Sequence, residues 1–161
     1  MENLLKIPYK AFNEDWDLLQ QFLERRGNPM YEIVGDVKLY SRKDIFDLGN
    51  LVRVYGHLYL GGSSIKSLGN LEYVGGDLNL NWSSIQSLGN LKYVGENLSL
   101  NSTTIQSLGN LEYVGGSLNL RFTLKPIESL GNLKYVGRII LLLKNHNIPQ
   151  EQLTKFHIEY L

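Results

Sequence analysis

A four-residue segment, Leu-Gly-Asn-Leu, recurs along the chain and constrains the fold more than any other feature. The first four copies begin 20 residues apart, and the last gap is two residues longer. The copies start at Leu48, Leu68, Leu88, Leu108 and Leu130. One such unit has too little apolar surface to fold alone, but stacked copies bury a continuous interior. The period therefore predicts a solenoid in which each repeat forms one coil.

Each unit contains an apolar–polar–apolar triplet, which has the period of a half-buried strand. The triplet is Leu-Asn-Leu at residues 78–80, and equivalent triplets lie at residues 58–60, 98–100 and 118–120. Gly75 and Gly76 precede the strand, and we expect them to form a turn with positive φ. Ser67 stands before the Leu-Gly-Asn-Leu segment, where we expect it to cap a single helical turn.

Residues at the same position of successive repeats are expected to form columns, because paired strands lie about 4.8 Å apart. The column after Leu-Gly-Asn-Leu alternates in charge, which favours one register since a slip would bring like charges together. It reads Val52, Glu72, Lys92, Glu112 and Lys134. The next column predicts stacked aromatic rings, with the arginine lying on the first ring. It reads Arg53, Tyr73, Tyr93, Tyr113 and Tyr135.

Both ends of such a stack need caps, because an open end exposes core leucines and unpaired strand edges. A helix that begins at the acidic run ending in Asp15 and stops at Gly27 is expected to close the N-terminal end. Pro149 fits the first turn of a second helix at the C-terminal end. The apolar face of that helix would consist of Leu153, Phe156 and Tyr160.

The order of apolar positions resembles the leucine-rich repeat pattern L-x-x-L-x-L-x-x-N-x-L, with one extra residue before the strand. The positions that carry it are Val74, Leu78, Leu80, Ser83 and Ile85. The asparagine of that pattern is replaced, which predicts a Ser/Thr ladder instead of an asparagine ladder. The replacing residues are Ser63, Ser83, Thr103 and Thr123. The unit LGNLxYVGGxLxL is also similar to short repeat proteins encoded by bacteria and their phages.

The predicted fold class is therefore a repeat solenoid that is mainly β. We expect a short, parallel-stranded, leucine-rich-repeat-like stack with N- and C-terminal helical caps. The predicted organisation is a single domain, with an N-terminal helical cap over residues 1–30, the solenoid over 31–147 and a C-terminal helical cap over 148–161.

The resemblance implies that the strand face is the binding surface. Residues between and beside the strand leucines vary between copies, whereas the core positions do not. The candidate partner-binding residues are Trp82, Phe122, Tyr59, Arg121, His57, Asp77, Asn79, Asn81, Asn101 and Asn119. Trp82 is the first candidate, since Trp, Tyr and Arg dominate binding hot spots. The alternative is that Trp82 packs on its neighbouring coil.

Residues 139–143 are apolar on both expected faces of their strand. Outward apolar side chains are normally covered. One interpretation is that the C-terminal helix folds over them. The other is that a partner protein or a second copy of the chain covers them.

Composition argues against several classes of function. Sixteen Lys and Arg balance sixteen Asp and Glu, so the basic surplus typical of nucleic-acid binders is missing and no nucleic-acid partner is expected. The chain has no cysteine, and its three histidines, His57, His146 and His157, have no metal-ligand spacing. We expect no catalytic residues, no cofactor and no metal. No apolar run approaches the ~20 residues of a membrane span, so we expect a cytoplasmic protein, in the host cytoplasm if a phage encodes it.

Two hypotheses for the function follow. The first is a non-catalytic module that binds another protein through its strand face, with a phage-type inhibitor of a host defence complex as a special case. The alternative is a structural or virion-assembly subunit that packs through the same face or through the apolar C-terminal end. The sequence leaves open whether the chain is a monomer or a homo-oligomer.

Overall fold

The computed structural model describes residues 4–161. The helical elements are a 3-10 helix (Tyr9–Phe12), α1 (Trp16–Glu24) and α2 (Gln150–Leu153). The strands, in chain order, are β1 (Leu5–Pro8), β2 (Tyr31–Val34), β3 (Val37–Lys38), β4 (Leu51–Val54), β5 (Leu58–Tyr59), β6 (Tyr73–Val74), β7 (Leu78–Asn79), β8 (Tyr93–Val94), β9 (Leu98–Ser99), β10 (Tyr113–Val114), β11 (Leu118–Asn119), β12 (Tyr135–Val136), β13 (Ile140–Leu142) and β14 (Ile158–Tyr160).

Within residues 4–161 the strands form two parallel sheets of seven strands each. Sheet A has the order β1-β2-β4-β6-β8-β10-β12, and sheet B has the order β14-β13-β11-β9-β7-β5-β3. Leu78 pairs with Leu98, which in turn pairs with Leu118 on the next parallel strand. These leucines are completely buried. The predicted repeat solenoid, mainly β with small helical elements, is therefore confirmed.

Each repeat contributes a second strand, and the segment before that strand is not the helical turn that the sequence predicted. Tyr73–Val74 forms a strand of sheet A. The segment before it is a β-turn, in which the N–H of Leu71 donates to the carbonyl of Leu68 at 3.1 Å. Ser67 does cap this turn, because its Oγ accepts the N–H of Gly69 at 3.1 Å. The helical turn was wrong because Gly69, at φ 54°, directs the chain into a tight turn that a helix cannot contain.

The glycines before the sheet B strands are required by close packing of the backbone. Gly75 and Gly76 do not have the positive φ that the sequence predicted, and neither do Gly95 and Gly115. A Cβ added to Gly95 would lie well inside 3.0 Å of the carbonyl oxygen of Gly75, and one on Gly115 would meet Gly95 in the same way. Successive coils therefore approach each other here to a distance that only glycine permits.

Three members of the Ser/Thr column, Ser63, Ser83 and Thr103, are buried and bond to a turn of their own coil, whereas Thr123 is half-buried. The hydroxyl of Ser83 donates to the carbonyl of Leu80 at 2.7 Å, and that of Thr103 donates to Leu100 at 2.8 Å. Each bond closes within one coil, so the hydroxyls satisfy local backbone and do not link one coil to the next.

The aromatic and charged columns run along the outside of sheet A. Rings stack from Tyr73 to Tyr93, Tyr113 and Tyr135 with centroids 4.8, 4.6 and 4.8 Å apart. Stacked tyrosines were predicted, but the place of Arg53 was wrong: Arg53 lies 3.7 Å from the carboxylate of Glu32. The first ring, Tyr73, is instead met by Tyr55 at 5.8 Å.

The charged column makes the predicted pairs between coils. Lys92 lies 3.9 Å from Glu72, and Lys134 lies 2.6 Å from Glu112. The hydrogen bond from Lys134 lowers the pKa of Glu112. All four side chains are largely solvated, so the pairs favour register more than stability.

The N-terminal end is closed by α1 together with a strand. The carboxylate of Asp15 accepts the N–H groups of Asp17 and Leu18 at 2.9 and 3.0 Å, which is the predicted N-cap. Trp16 and Leu19 of α1 are buried against the stack. Strand β1, which was not predicted, pairs in parallel with β2 and covers the edge of sheet A.

The C-terminal end is closed by a single helical turn followed by a strand. Pro149 is the N-cap of α2, and Leu153 is buried. The helical face predicted to include Tyr160 was wrong, because β14 pairs with β13 and places Tyr160 beside Leu142. Backbone pairing at this edge satisfies polar groups that a longer helix would have left exposed.

Candidate binding surface

The candidate partner-binding residues predicted from the sequence lie on the outward side of sheet B. At its N-terminal end Tyr59 is half-buried and stacks with two other rings, Tyr40 at 5.2 Å and His57 at 5.7 Å. Partial burial, and then the neighbouring Tyr40, raise the pKa of the Tyr59 phenol. The ring of Tyr59 thus already packs on two other rings of the same chain.

His57 and Asp77 belong to a ladder of side-chain acceptors that links the coils. Asp36 accepts the N–H of His57 at 2.9 Å, and His57 Nδ1 accepts the N–H of Asp77 at 2.8 Å. Asp77 then accepts the N–H of Asn97, and Asn97 accepts that of Ser117, both at 2.9 Å. We call this set the corner ladder. The sequence does carry a pattern for this ladder, namely a hydrogen-bond acceptor at one repeat position in four successive coils. The prediction that His57 and Asp77 face a partner did not take this pattern into account.

The corner ladder also brings together three groups that could hold a metal ion. Ligand atoms of His57, Asp77 and Glu96 lie within 4.8 Å of one another. The spacing of the histidines in the sequence did not indicate this cluster, because its other two members are carboxylates. Nδ1 of His57 already accepts the N–H of Asp77, so the neutral ring carries its proton on Nε2 and has no free nitrogen lone pair for a metal ion while the ladder is intact.

Replacing His57 tests whether the ladder supports the fold. His57→Ala leaves the N–H of Asp77 without its acceptor, and we expect a loss of about 1–2 kcal/mol of unfolding free energy. His57→Asn is expected to restore most of it, because Asn97 performs the same task at the same position. Urea denaturation measures both variants, and equal stability of the alanine and asparagine forms would contradict the structural role.

The four asparagines of the candidate set mostly bond to the chain itself. Asn79 accepts the N–H of Asn81 at 3.0 Å, and Asn81 accepts the N–H of Asn101 at 2.9 Å. Asn119 accepts both the N–H and Nε of Arg121, at 3.2 and 3.3 Å. The side-chain oxygen of Asn101 is buried without a partner within residues 4–161. These side chains therefore hydrogen-bond the backbone at the ends of the sheet B strands, in addition to facing solvent.

Trp82 and Phe122 are the most exposed members of the candidate set. Their exposed fractions are 74% and 58%, which excludes packing of Trp82 on its neighbouring coil. They follow the sheet B strands at one column position, where Gly62 and Ser102 stand in other coils. All four residues have a positive φ, between 54° and 68°. We call Trp82, Ser102 and Phe122 the aromatic corner.

The turn at Trp82 is one in which glycine is normally preferred. The N–H of Ser83 donates to the carbonyl of Leu80 at 3.1 Å, and the φ of Trp82 is 62°. A positive φ at only the third residue is the pattern of a type II turn, which favours glycine there. A tryptophan at this position holds the backbone in a region that bulky residues avoid.

The outward residues in and beside β13 are only partly covered. Ile139, Leu141 and Leu143 are half-buried. The C-terminal segment contacts the last turn of the stack, where Gln152 accepts the N–H of Leu130 at 2.8 Å and Lys155 donates to Leu133 at 3.0 Å. The apolar part of the sheet B face thus remains partly open to solvent.

Comparisons of this chain with protein-family models, with curated proteins and with solved structures found no match. No helix within residues 4–161 has the length and apolar character needed to cross a membrane.

Proposed function

We propose that this protein is a non-catalytic binding module that recognises another protein through the sheet B face and its aromatic corner. The observation that carries the proposal is the placement of two large exposed rings, Trp82 and Phe122, at backbone positions that favour glycine. A non-glycine residue in the left-handed region costs on the order of 1–3 kcal/mol. Exposed rings recover little of this cost by burial within their own chain.

The surrounding surface fits the same function. Aromatic residues and arginine dominate the energetics of protein interfaces. Arg121 precedes Phe122 in the chain, and the half-buried Leu143 stands at the Arg121 position of the next coil. A partner that covered this area would bury rings and aliphatic side chains that now face solvent.

The inhibitor hypothesis is the narrower form of this proposal. A phage-encoded protein of this kind would act in the host cytoplasm and would block a host defence complex by occupying one of its surfaces. It would need no chemistry of its own, only the sheet B face.

Self-assembly is the second candidate function, and one feature favours it. Strand β14 forms the C-terminal edge of sheet B, and exposed Tyr160 and Leu161 lie on it or next to it. An unpaired edge with apolar side chains can pair with another chain. A structural or virion-assembly subunit would use this end, and light scattering would then show a stable oligomer instead of a monomer.

Affinity capture from bacterial lysate tests the binding proposal. Wild-type protein is expected to retain a partner that Trp82→Ala with Phe122→Ala loses, because the substitution removes both rings. Ser102→Ala is the matched control, since it changes the same column without removing a ring. Circular dichroism must show that all three proteins are folded. Equal capture by the double variant and the wild type would refute the role of the aromatic corner.

A further inference from the structure

The aromatic corner has one small residue between two large aromatic ones. Trp82, Ser102 and Phe122 occupy one column in consecutive coils and share a left-handed φ of 62°, 56° and 54°. Because coils lie about 4.8 Å apart, the two aromatic residues leave the backbone about 10 Å from each other. Ser102 has the smallest side chain of the three, and we call the space above it, between Trp82 and Phe122, the slot. Within residues 4–161 neither ring stacks on another ring.

The width of the slot favours a branched aliphatic occupant over a flat one. Carbon atoms in contact lie about 3.5–4.0 Å apart, so a flat ring between two parallel rings spans about 7–8 Å in all. A slot of about 10 Å would leave such a ring in contact with only one wall. A thicker group, such as the side chain of leucine, isoleucine or valine, can contact both walls.

The charged residues of the strands and turns around the aromatic corner are positive. Residues 78–88, 97–108 and 117–127 form the three central sheet B strands and the turns after them, and they contain no Asp or Glu. Their only charged residues are Arg121 and Lys125. Neither takes part in an ion pair within residues 4–161. Both can therefore pair with carboxylates of a partner, and arginine can do so through two parallel hydrogen bonds.

We propose that the aromatic corner binds an acidic segment of the partner protein. An aliphatic side chain of that segment lies over Ser102 between Trp82 and Phe122, while carboxylates of the segment pair with Arg121 and Lys125. This inference rests on the proposed function, because it names the partner chemistry that the same surface recognises. Exposed ion pairs are screened by salt, so binding weakens as the salt concentration rises.

A display library of random dodecapeptides, selected on the intact wild-type protein, tests the inference. Selected peptides are expected to carry Asp and Glu around a leucine, isoleucine or valine. Fluorescence anisotropy then measures their Kd for each variant. Ser102→Trp is expected to raise the Kd at least tenfold, because it fills the slot while both rings and both cations remain. Ser102→Gly is the matched control, since it leaves the slot open.

A second variant keeps the test decisive if Ser102→Trp fails to fold. Arg121→Gln with Lys125→Gln preserves the slot and is expected to weaken the same peptides at least tenfold and to reduce their salt dependence. Selected peptides that are neutral or basic, or that bind Ser102→Trp unchanged, would overturn the inference. Selection of no peptide would overturn it as well. The proposed function is decided separately, because the capture experiment uses intact partner proteins and the loss of both rings.

Discussion

Gly95→Ala is expected to lower the free energy of unfolding by more than about 3 kcal/mol, at the upper end of what overpacking causes. The added Cβ would lie well inside 3.0 Å of the carbonyl oxygen of Gly75. That oxygen belongs to the backbone of the adjacent coil, so no side-chain rotation can relieve the clash. The two coils would have to separate, which would strain the parallel pairing on both sides of them. Urea denaturation, read by far-UV circular dichroism, measures the loss.

Gly109→Ala provides the comparison for this variant. Gly109 has a φ of 54°, but no heavy atom lies within 4 Å of an added Cβ. Only backbone strain opposes alanine there, so we expect a loss of about 1 kcal/mol. Small domains have a total stability of about 5–15 kcal/mol, so Gly109→Ala should fold while Gly95→Ala is severely weakened. Equal losses would show that the coils are not held at the separation seen in the structure.

The sequence predicted the stack because its signal is repeated. Five copies of one segment fix the period, and the alternating triplet fixes which leucines point inward. The stacking of Tyr93 on its neighbours followed directly, since any column in a parallel stack has the spacing of paired strands. These inferences need only periodicity, which a single sequence shows.

The sequence could not show which short segments pair as strands. Tyr73–Val74 has only two residues in sheet A, too few to display an alternating pattern. The same limit applies at the ends, where β1 and β14 occur once and lie outside the repeat. Their pairing depends on which edge of the stack is open, and this is a property of the assembled fold.

The candidate site was only partly predictable for a related reason. Exposed aromatic residues at variable positions singled out Trp82 and Phe122, and both are exposed in the structure. The sequence did not distinguish them from His57, because the corner ladder depends on contacts between coils. It also did not reveal the left-handed backbone at the aromatic corner, since neither tryptophan nor phenylalanine is typical of that conformation.

The double variant Trp82→Gly with Phe122→Gly is expected to lose partner binding while its stability is kept or raised. Glycine removes left-handed strain of about 1–3 kcal/mol at each site. It adds about 0.5–1 kcal/mol of unfolded-chain entropy at each site, which offsets part of the gain. The rings are 74% and 58% exposed, so their removal uncovers little core. The net change is therefore expected to lie between zero and a gain of about 2 kcal/mol per site.

Ser102→Gly separates the two effects, because it relieves the same backbone conformation without removing a ring. It should gain stability and still bind, whereas the double variant should gain stability and lose binding. Urea midpoints at constant m-value measure stability, and affinity capture measures binding. A loss of more than about 1 kcal/mol in the double variant would mean that the rings stabilise the solenoid by packing on it. The positive φ of the aromatic residues would then be explained by their contribution to folding, and the proposed role of the aromatic corner in partner binding would lose its support.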